Sequence, residues 1–293
     1  MKPNSKCYNN HLGLWLIEPE WFGAAYAAVQ DGTMPIVALD EEVSPQEEKL
    51  YNLVEGVAEI FVAGPMMKMR SKFGGGTSTV ETRKAIRDAL RDEEVQSIVM
   101  VFDSPGGHVA GTLELAQEVK AADKIKPVSA YIEDLGASAA YWVASQARQV
   151  VANPLAQVGS VGVLTVITDT SVAAESLGAK VHVVSTGKFK GMLQPGTPVT
   201  EEQLANVQER INDIFTFFKK DVKAARKLTS KQMETVSEGA VFLSSKAKDV
   251  GLIDSIQTRD NFMLTQVRRN RSLGRRPRAE LASVEYDEIF SES

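Results

Sequence analysis

Short apolar runs alternate with stretches of helical periodicity along most of this chain. Three of the runs predict buried strands: GVAEIFVAG (56–64), SIVMVF (97–102) and KPVSAYI (126–132). Between them, residues 80–92 and 110–122 place apolar side chains at helical spacing. Strands that alternate with helices in this way predict an α/β fold, with parallel strands joined by right-handed helical crossovers.

Further elements follow the same alternation. Two more strands are predicted at SVGVLTVI (160–167) and KVHVVST (180–186), and a long helix at residues 200–227, with Thr200 as its cap. Ser78 and Glu81 predict a capping box for the first helix. Its buried face is expected to carry Val80, Ile86, Ala89 and Leu90. The long helix places Ile211, Ile214, Phe215 and Phe218 nearly on one face, which suits either a subunit contact or the core.

The patterning divides the chain into three parts. Residues 1–54 lack a sustained period and are interpreted as an N-terminal extension with one or two short helices. Residues 55–258 form the predicted α/β domain. Residues 259–293 include six arginines between Arg268 and Arg278, followed by an acidic end, and offer little apolar surface to offset the entropy of ordering. That tail is expected to be disordered.

Composition narrows the class of protein. With 293 residues, 43% of them hydrophobic, the chain can bury a large core without disulfides, and its single cysteine, Cys7, fits a reducing compartment. A net charge of −5 argues against nucleic acid as the main partner. The N-terminal run LGLWLI is too short for a secretory signal, and no run approaches the roughly 20 residues that cross a bilayer. A cytoplasmic protein without a membrane partner is expected.

Ser138 is the first candidate for chemistry, in the stretch DLGASAAYWVAS (134–145). It stands before a predicted helix, so it is either a helix cap or a nucleophile. The G-x-S-x-G elbow does not decide the matter, because Ala140 occupies the second glycine position. DSPGG (103–107) favours the nucleophile, since two glycines that follow a strand let backbone N–H groups approach an oxyanion.

A serine nucleophile needs a base. The three histidines, His11, His108 and His182, form no convincing Ser-His-Asp set. Lys188 and Lys190 follow a predicted strand in STGKFKGMLQP (185–195) and can accept a proton when neutral. A lysine in solution has a pKa near 10.4, so about 1 in 2,500 is neutral at pH 7, and a lysine base must lie in an apolar setting.

Five motifs together resemble the signal peptide peptidase A family of serine peptidases, in order and spacing, over about residues 55–257. These motifs are DSPGG, GASAAYW, QVGSVGVL, TGKFKGMLQP and GAVFLSSKAKDVGLID. The resemblance implies the Clp protease/crotonase-like fold, with repeated β-β-α units and mostly parallel sheets. It also implies a set of site residues and no metal or nucleotide cofactor: Ser138 as nucleophile, Lys190 as general base, and Gly106 or Gly107 together with Ala139 as oxyanion donors. Family members often carry glycines where this chain has Ala139 and Ala140.

The N-terminal segment LGLWLIEPEWFGAAYAAV (12–29) resembles the openings of phage and prophage members, the head maturation proteases. This resemblance implies capsid, scaffold or portal proteins as substrates, in the host cytoplasm or the assembling prohead. Larger relatives carry two copies of the unit and this chain has one. A homo-oligomeric ring is therefore expected, in which Ser138 of one subunit meets Lys190 of the next.

Three alternatives remain open from the sequence. The first is a peptidase of the same family that degrades signal peptides or other proteins. The second is an acyl-CoA hydratase or isomerase of the same fold, for which Glu133 and Asp134 are carboxylates without a supporting motif. The third is a catalytically silent assembly scaffold.

Overall fold

The fold is described from a computed structural model, for residues 14–19, 49–69 and 76–273. Within these ranges the strands, numbered β1 to β12 in chain order, are Trp15–Ile17, Asn52–Val54, Val57–Ala63, Met66–Met67, Thr77–Ser78, Ser97–Ser104, Gly106–His108, Val128–Ala137, Gln149–Ala152, Gln157–Gly159, Val241–Leu243 and Ser255–Ile256. The helices, α1 to α8, are Thr79–Arg91, Thr112–Ile125, Ala139–Ala144, Ser171–Ser176, Glu201–Ala225, Ser230–Val236, Ser244–Asp249 and Arg259–Leu273.

The larger of two sheets is mainly parallel. Its strands follow the order β11-β10-β8-β6-β3-β2, with β9 beside β8 and β12 beside β9. The pairs β3–β6, β6–β8 and β8–β10 are parallel, and α1 and α2 make the crossovers between β3, β6 and β8. The sequence prediction of parallel strands joined by helices is confirmed for this part of the chain. The repeated β-β-α units stay a prediction.

Side chains alternate between the two faces of the central strands. On one face Ala58, Ile98 and Met100 join the main core beneath α1, α2 and α3. On the other face, a second cluster contains Val57, Val99, Val101, Tyr131, Val151, Phe262 and Val267. A strand with apolar residues on both faces must be covered on both, as is typical of parallel sheets.

Helix α8 supplies the cover on the second face, so the prediction of a disordered tail from residue 259 is wrong for residues 259–273. Phe262 stacks on Tyr131, with ring centroids 5.2 Å apart. Asn270 donates to the Ser97 hydroxyl at 3.0 Å. The few buried apolar positions of this segment are hard to recognise among its arginines. They are enough to hold the helix against the sheet, because the sheet already presents an apolar face. The rest of the predicted tail lies outside the described residues.

Three local predictions also need correction. The structure has no strand at residues 160–167 or at residues 180–186. The strand nearest to the first of these runs is β10, which ends just before it. Val80 is 41% exposed, because the apolar face of α1 begins one turn later. Thr200 does cap α5, through a capping box with Gln203. In the predicted N-terminal extension the described residues include β1 and β2, and its remainder lies outside them.

The topology brings two chain turns together. β6 and β8 are parallel neighbours, so their carboxyl ends, at Ser104 and Ala137, meet at the same edge of the sheet. A candidate site at such an edge is common in α/β proteins. The glycine turn after β6 and the serine turn after β8 therefore lie side by side. Within the described part of the chain, no helix has the length and apolar character needed to cross a bilayer.

Candidate active site

Ser138 lies at the turn from β8 into α3, with a backbone conformation of φ 54° and ψ −118°. A residue with a β-carbon rarely adopts such a conformation, which costs about 1–3 kcal/mol. The Ser138 amide donates to the Gly159 carbonyl at 2.8 Å, and the Trp142 amide donates to the Ser138 carbonyl at 2.9 Å. The strained serine is thus held by β10 on one side and by the first turn of α3 on the other.

The Ser138 hydroxyl does not cap α3. The residue stands at the N-cap position, yet no cap hydrogen bond to its side chain is found among the described residues. Its Oγ donates a long hydrogen bond of 3.5 Å to the Gly162 carbonyl, and the residue is fully buried. The helix-cap interpretation is wrong for this side chain.

The sharp strand-to-helix turn forms without the second glycine of the hydrolase elbow. A β-carbon at Gly136, two residues before the serine, would come 2.8 Å from the Ile132 side chain, so this position needs glycine. Ala140, two residues after the serine, is fully buried inside α3. The incomplete G-x-S-x-G motif is therefore compatible with a sharp turn from strand to helix at Ser138.

Gly106 and Gly107 let the neighbouring turn approach the serine. Gly106 has φ 97°, and a β-carbon there would stand 2.9 Å from the Ala139 amide nitrogen and 3.0 Å from the Ala137 carbonyl oxygen. A β-carbon on Gly107 would stand 2.0 Å from the carbonyl oxygen of Met66. The structure thus brings Gly106 close to Ala137 and Ala139, the two chain neighbours of Ser138, and Gly107 is the next residue of the same turn.

The two glycine amides differ in their partners. The Gly106 amide donates to Ser104 Oγ at 3.2 Å, and that hydroxyl donates to the Gly64 carbonyl at 2.6 Å. Ala139 is the first residue of α3, and the first amides of a helix have no acceptor within it. Of the two glycine amides left open as oxyanion donors by the sequence, that of Gly106 is bonded within its own turn, whereas Gly107 lies in β7 opposite Leu16 of β1.

Lys190 lies in an exposed arm, defined as residues 162–199, where no residue is fully buried. Its backbone amide donates to the Gly187 carbonyl, while its side chain is exposed. No hydrogen bond joins Lys190 to Ser138 in the described part of one protomer. Lys188 forms an ion pair with Glu202, at the start of α5.

Acidic side chains follow the same sheet edge. Burial raises the pKa of Asp103, and the negative charges of Asp134 and Glu133 raise it further. Glu133 forms an ion pair with Arg259 of α8, at 3.2 Å. The carboxylate considered for the hydratase alternative is thus bound to an arginine of the covering helix.

The family model for peptidase family S49 matches residues 120–271, which is slightly more than half of the chain. The chain belongs to peptidase family S49. The matched range contains the serine turn, the arm and all but the last two residues of α8, whereas the glycine turn of this S49 chain lies before it. The match confirms the resemblance found in the sequence.

Individual relatives of this S49 chain agree with the family. Capsid assembly protease C of Escherichia phage lambda is 26% identical over 78% of this chain and 52% of the phage protein. Protease 4 of Salmonella typhi is 32% identical, over 68% of this chain and 32% of that protein. The head-tail preconnector protein GP5 of Enterobacteria phage P21 is 26% identical, over 71% and 42%. The chain therefore spans about half, or less, of the length of these relatives.

The motif QVGSVGVL of this S49 chain was found in the sequence, but its role in holding the nucleophile was not predicted. Gly159 and Gly162 accept from the Ser138 amide and hydroxyl, and Ser160 between them also has a positive φ of 52°. The short run VGSVG contains all three of these residues and marks an unusual backbone segment. The run lies 20 residues away from Ser138 in the chain. Only the pairing of β10 with β8 brings the two together.

Proposed function

We propose that this chain is a serine endopeptidase in which Ser138 is the nucleophile and Lys190 is the general base. The observation that carries the proposal is the strained backbone of Ser138, at a turn that no capping role explains. Strain of this kind collects at functional sites, where the surrounding structure holds a reactive group in place. Membership of a peptidase family supplies the reaction class.

The proposed reaction is acyl transfer to the serine. Ser138 Oγ bonds to the carbonyl carbon of the substrate while its proton passes to a neutral lysine. The amides of Gly107 and Ala139 hold the oxyanion. The carbon–nitrogen bond then breaks, the amine leaves with the proton, and water hydrolyses the ester to free the serine. No cofactor takes part in these steps.

A second copy of the chain would bring the base to the serine. Lysine is neutral at pH 7 in an apolar setting, and the arm of a single protomer does not provide one. The arm instead exposes Val172, Leu177, Val181, Val183 and Val184 to solvent. Exposed apolar groups of this kind favour burial against another surface. We therefore propose a homo-oligomeric ring, with Ser138 and Lys190 from neighbouring subunits at each site.

Proteins of an assembling phage head are the proposed substrates. Two relatives that together cover most of this chain are named as a capsid assembly protease and a head-tail preconnector protein. Capsid, scaffold and portal proteins are the classes to test, in the host cytoplasm or the prohead. A co-expressed capsid protein and casein serve as the first substrates.

The decisive comparison uses Ser138→Ala, Lys190→Ala and the matched control Lys188→Ala. Loss of the base should lower kcat by about 10²–10⁴-fold, and loss of the nucleophile by about 10⁶-fold. Lys188→Ala should stay within a few-fold of wild type, because that side chain is engaged with Glu202. Full activity in Lys190→Ala would remove the assigned base and bring Lys188 or His108 forward.

Sharing of the site is tested by mixing. Subunits of Ser138→Ala and Lys190→Ala are denatured, combined and refolded together. Random pairing across a heterologous interface restores roughly a quarter of the sites if each site takes one residue from each neighbour. A mixture as inactive as its two components would show that both residues act within one subunit.

A further inference from the structure

Strand β1 (Trp15–Ile17) pairs with the glycine turn of the candidate site. It runs antiparallel to β7, with Leu16 opposite Gly107 and Ile17 opposite Gly106. Two further hydrogen bonds bracket the pairing. The Glu18 amide donates to the Pro105 carbonyl at 2.7 Å, and the Val109 amide donates to the Leu14 carbonyl at 3.3 Å.

These two hydrogen bonds determine which backbone groups of β1 and β7 face each other. Hydrogen-bonded pairs alternate with non-bonded pairs in an antiparallel ladder. The pairs 18–105 and 14–109 are bonded, so the pair between them, Leu16 with Gly107, is bonded too. The Gly107 amide therefore faces the Leu16 carbonyl.

The second proposed oxyanion donor is also close to that carbonyl. The Leu16 carbonyl oxygen stands 2.2 Å, and the Ala139 amide nitrogen 2.9 Å, from the point that a β-carbon of Gly106 would occupy. Ala139 follows Ser138 directly in the chain. Under the proposed mechanism the carbonyl of a substrate is held by the same two amides, those of Gly107 and Ala139.

Two side chains of β1, those of Leu16 and Ile17, are buried in addition to the pairing of its backbone. Leu16 is fully buried and belongs to the main core cluster, together with Met66 and Ala139. Ile17 is also buried, whereas Pro19, two residues on, is exposed. The site thus encloses an aliphatic side chain at the residue whose carbonyl faces the donors.

The other edge of β7 is already occupied. Gly107 pairs with Met66 of β4 on that side, in the order β1-β7-β4-β5. An extended peptide that adds to β7 must use the edge that β1 holds. A substrate strand and β1 therefore compete for one position.

We infer that β1 occupies the substrate-binding edge of the site as an internal mimic of substrate. The inference rests on the proposed peptidase function and names the substrate class: an extended peptide segment with an aliphatic residue of about the size of leucine before the bond that is cut. The segment 14–18 must leave this edge before such a peptide binds.

The test compares the full chain with a chain that lacks residues 1–19, using fluorogenic peptides with leucine or glutamate before the reporter. If β1 leaves the groove for a tenth of the time, the apparent KM of the full chain is about tenfold higher than that of an open groove. Truncation should then lower KM by about tenfold, with kcat little changed. Both forms should prefer leucine. The synthetic peptide LGLWLIEPE, residues 12–20, should inhibit the truncated chain competitively, and the same peptide with Leu16→Glu should not.

Truncation removes buried side chains, so a second variant guards against loss of folding. Full-length Leu16→Glu should show the same fall in KM, and thermal unfolding confirms that each form is folded. Equal KM in all folded forms, with no competition by the peptide, would overturn the inference while leaving the peptidase proposal intact. Hydrolysis that is absent from every form, or that is unchanged by Ser138→Ala, would instead overturn the proposed function.

Discussion

The indole ring of Trp142 stacks on the ring of Phe218, with centroids 4.7 Å apart and planes 9° from parallel. The indole Nε1 also donates to Asp221, one turn further along α5, at 3.0 Å. Trp142 lies one turn after Ser138 in α3, and α5 directly follows the arm that carries Lys190. This contact therefore joins the helix of the proposed nucleophile to the helix that follows the proposed base.

Phe218→Ala should lower the free energy of unfolding by about 3–5 kcal/mol, because the ring is fully buried and its stacking partner loses contact. Phe217→Ala is the matched control, since Phe217 is 56% exposed, and its effect should stay near or below about 1 kcal/mol. Urea unfolding at pH 7 measures both. Equal losses in the two variants would show that the stack contributes nothing particular to stability.

Ser138→Gly should be more stable than Ser138→Ala by about 1 kcal/mol or more, because glycine adopts φ 54° without the steric cost that alanine retains. Both variants should be inactive, since both lack the hydroxyl. Urea unfolding of the two variants, with peptide hydrolysis, separates the effects. Equal stabilities would contradict the assignment of strain to this turn.

The central strands could be predicted because their apolar runs reflect burial on both faces of a parallel sheet. The same reasoning failed for 180–186, where the alternation of Val181 and Val183 suggested a strand. Both residues are more than 40% exposed in a single protomer. A strand needs a partner for its backbone groups, and the sequence does not say whether one is present.

The site could be predicted by residue type but not by geometry. Glycines and a serine at the ends of two strands indicated where the turns would meet. The positive φ of Ser138 depends on a hydrogen bond to Gly159, and the occupied edge of β7 depends on Leu16. The motif QVGSVGVL contains Gly159, but a pairing between residues so far apart in the chain leaves no local pattern, so neither contact could be predicted.

Asp92 predicts a pH dependence of stability. Partial burial would raise the pKa of this carboxyl group, but hydrogen bonds from Lys49 and Tyr51 outweigh burial and hold it at about 2. Tyr51 Oη donates at 2.5 Å and Lys49 Nζ at 2.7 Å. Because the folded pKa lies below the unfolded one, the stabilisation is fully present above about pH 4 and is lost as the pH falls towards 2.

Asp92→Asn should therefore be less stable than wild type at pH 7, and the gap should close between pH 4 and pH 2. Unfolding in urea at pH 7, 4 and 2.5 measures it. Glu93→Gln, at an exposed neighbouring position, serves as the control and should show no comparable change. A gap for Asp92→Asn that is constant over this range would mean that the charge of the carboxylate is not the source of the stabilisation.

Gly107→Ala tests the close approach of the oxyanion turn. The added β-carbon would stand 2.0 Å from the carbonyl oxygen of Met66, so the backbone must shift. Because the Gly107 amide is then displaced from the substrate carbonyl, kcat should fall by about 10²–10³-fold. Peptide hydrolysis by a variant that remains folded measures this loss.

Gly187→Ala is the steric control, since among the described residues no atom beyond its two chain neighbours lies within 4 Å of the added β-carbon. Its free energy of unfolding should stay within about 0.5 kcal/mol of wild type, whereas Gly107→Ala should lose at least about 1–3 kcal/mol through overpacking. A folded Gly107→Ala with normal kcat would show that the amide of this residue does not hold the oxyanion. The donor would then have to come from elsewhere on the turn, and the register between Leu16 and Gly107 would lose its meaning for substrate binding.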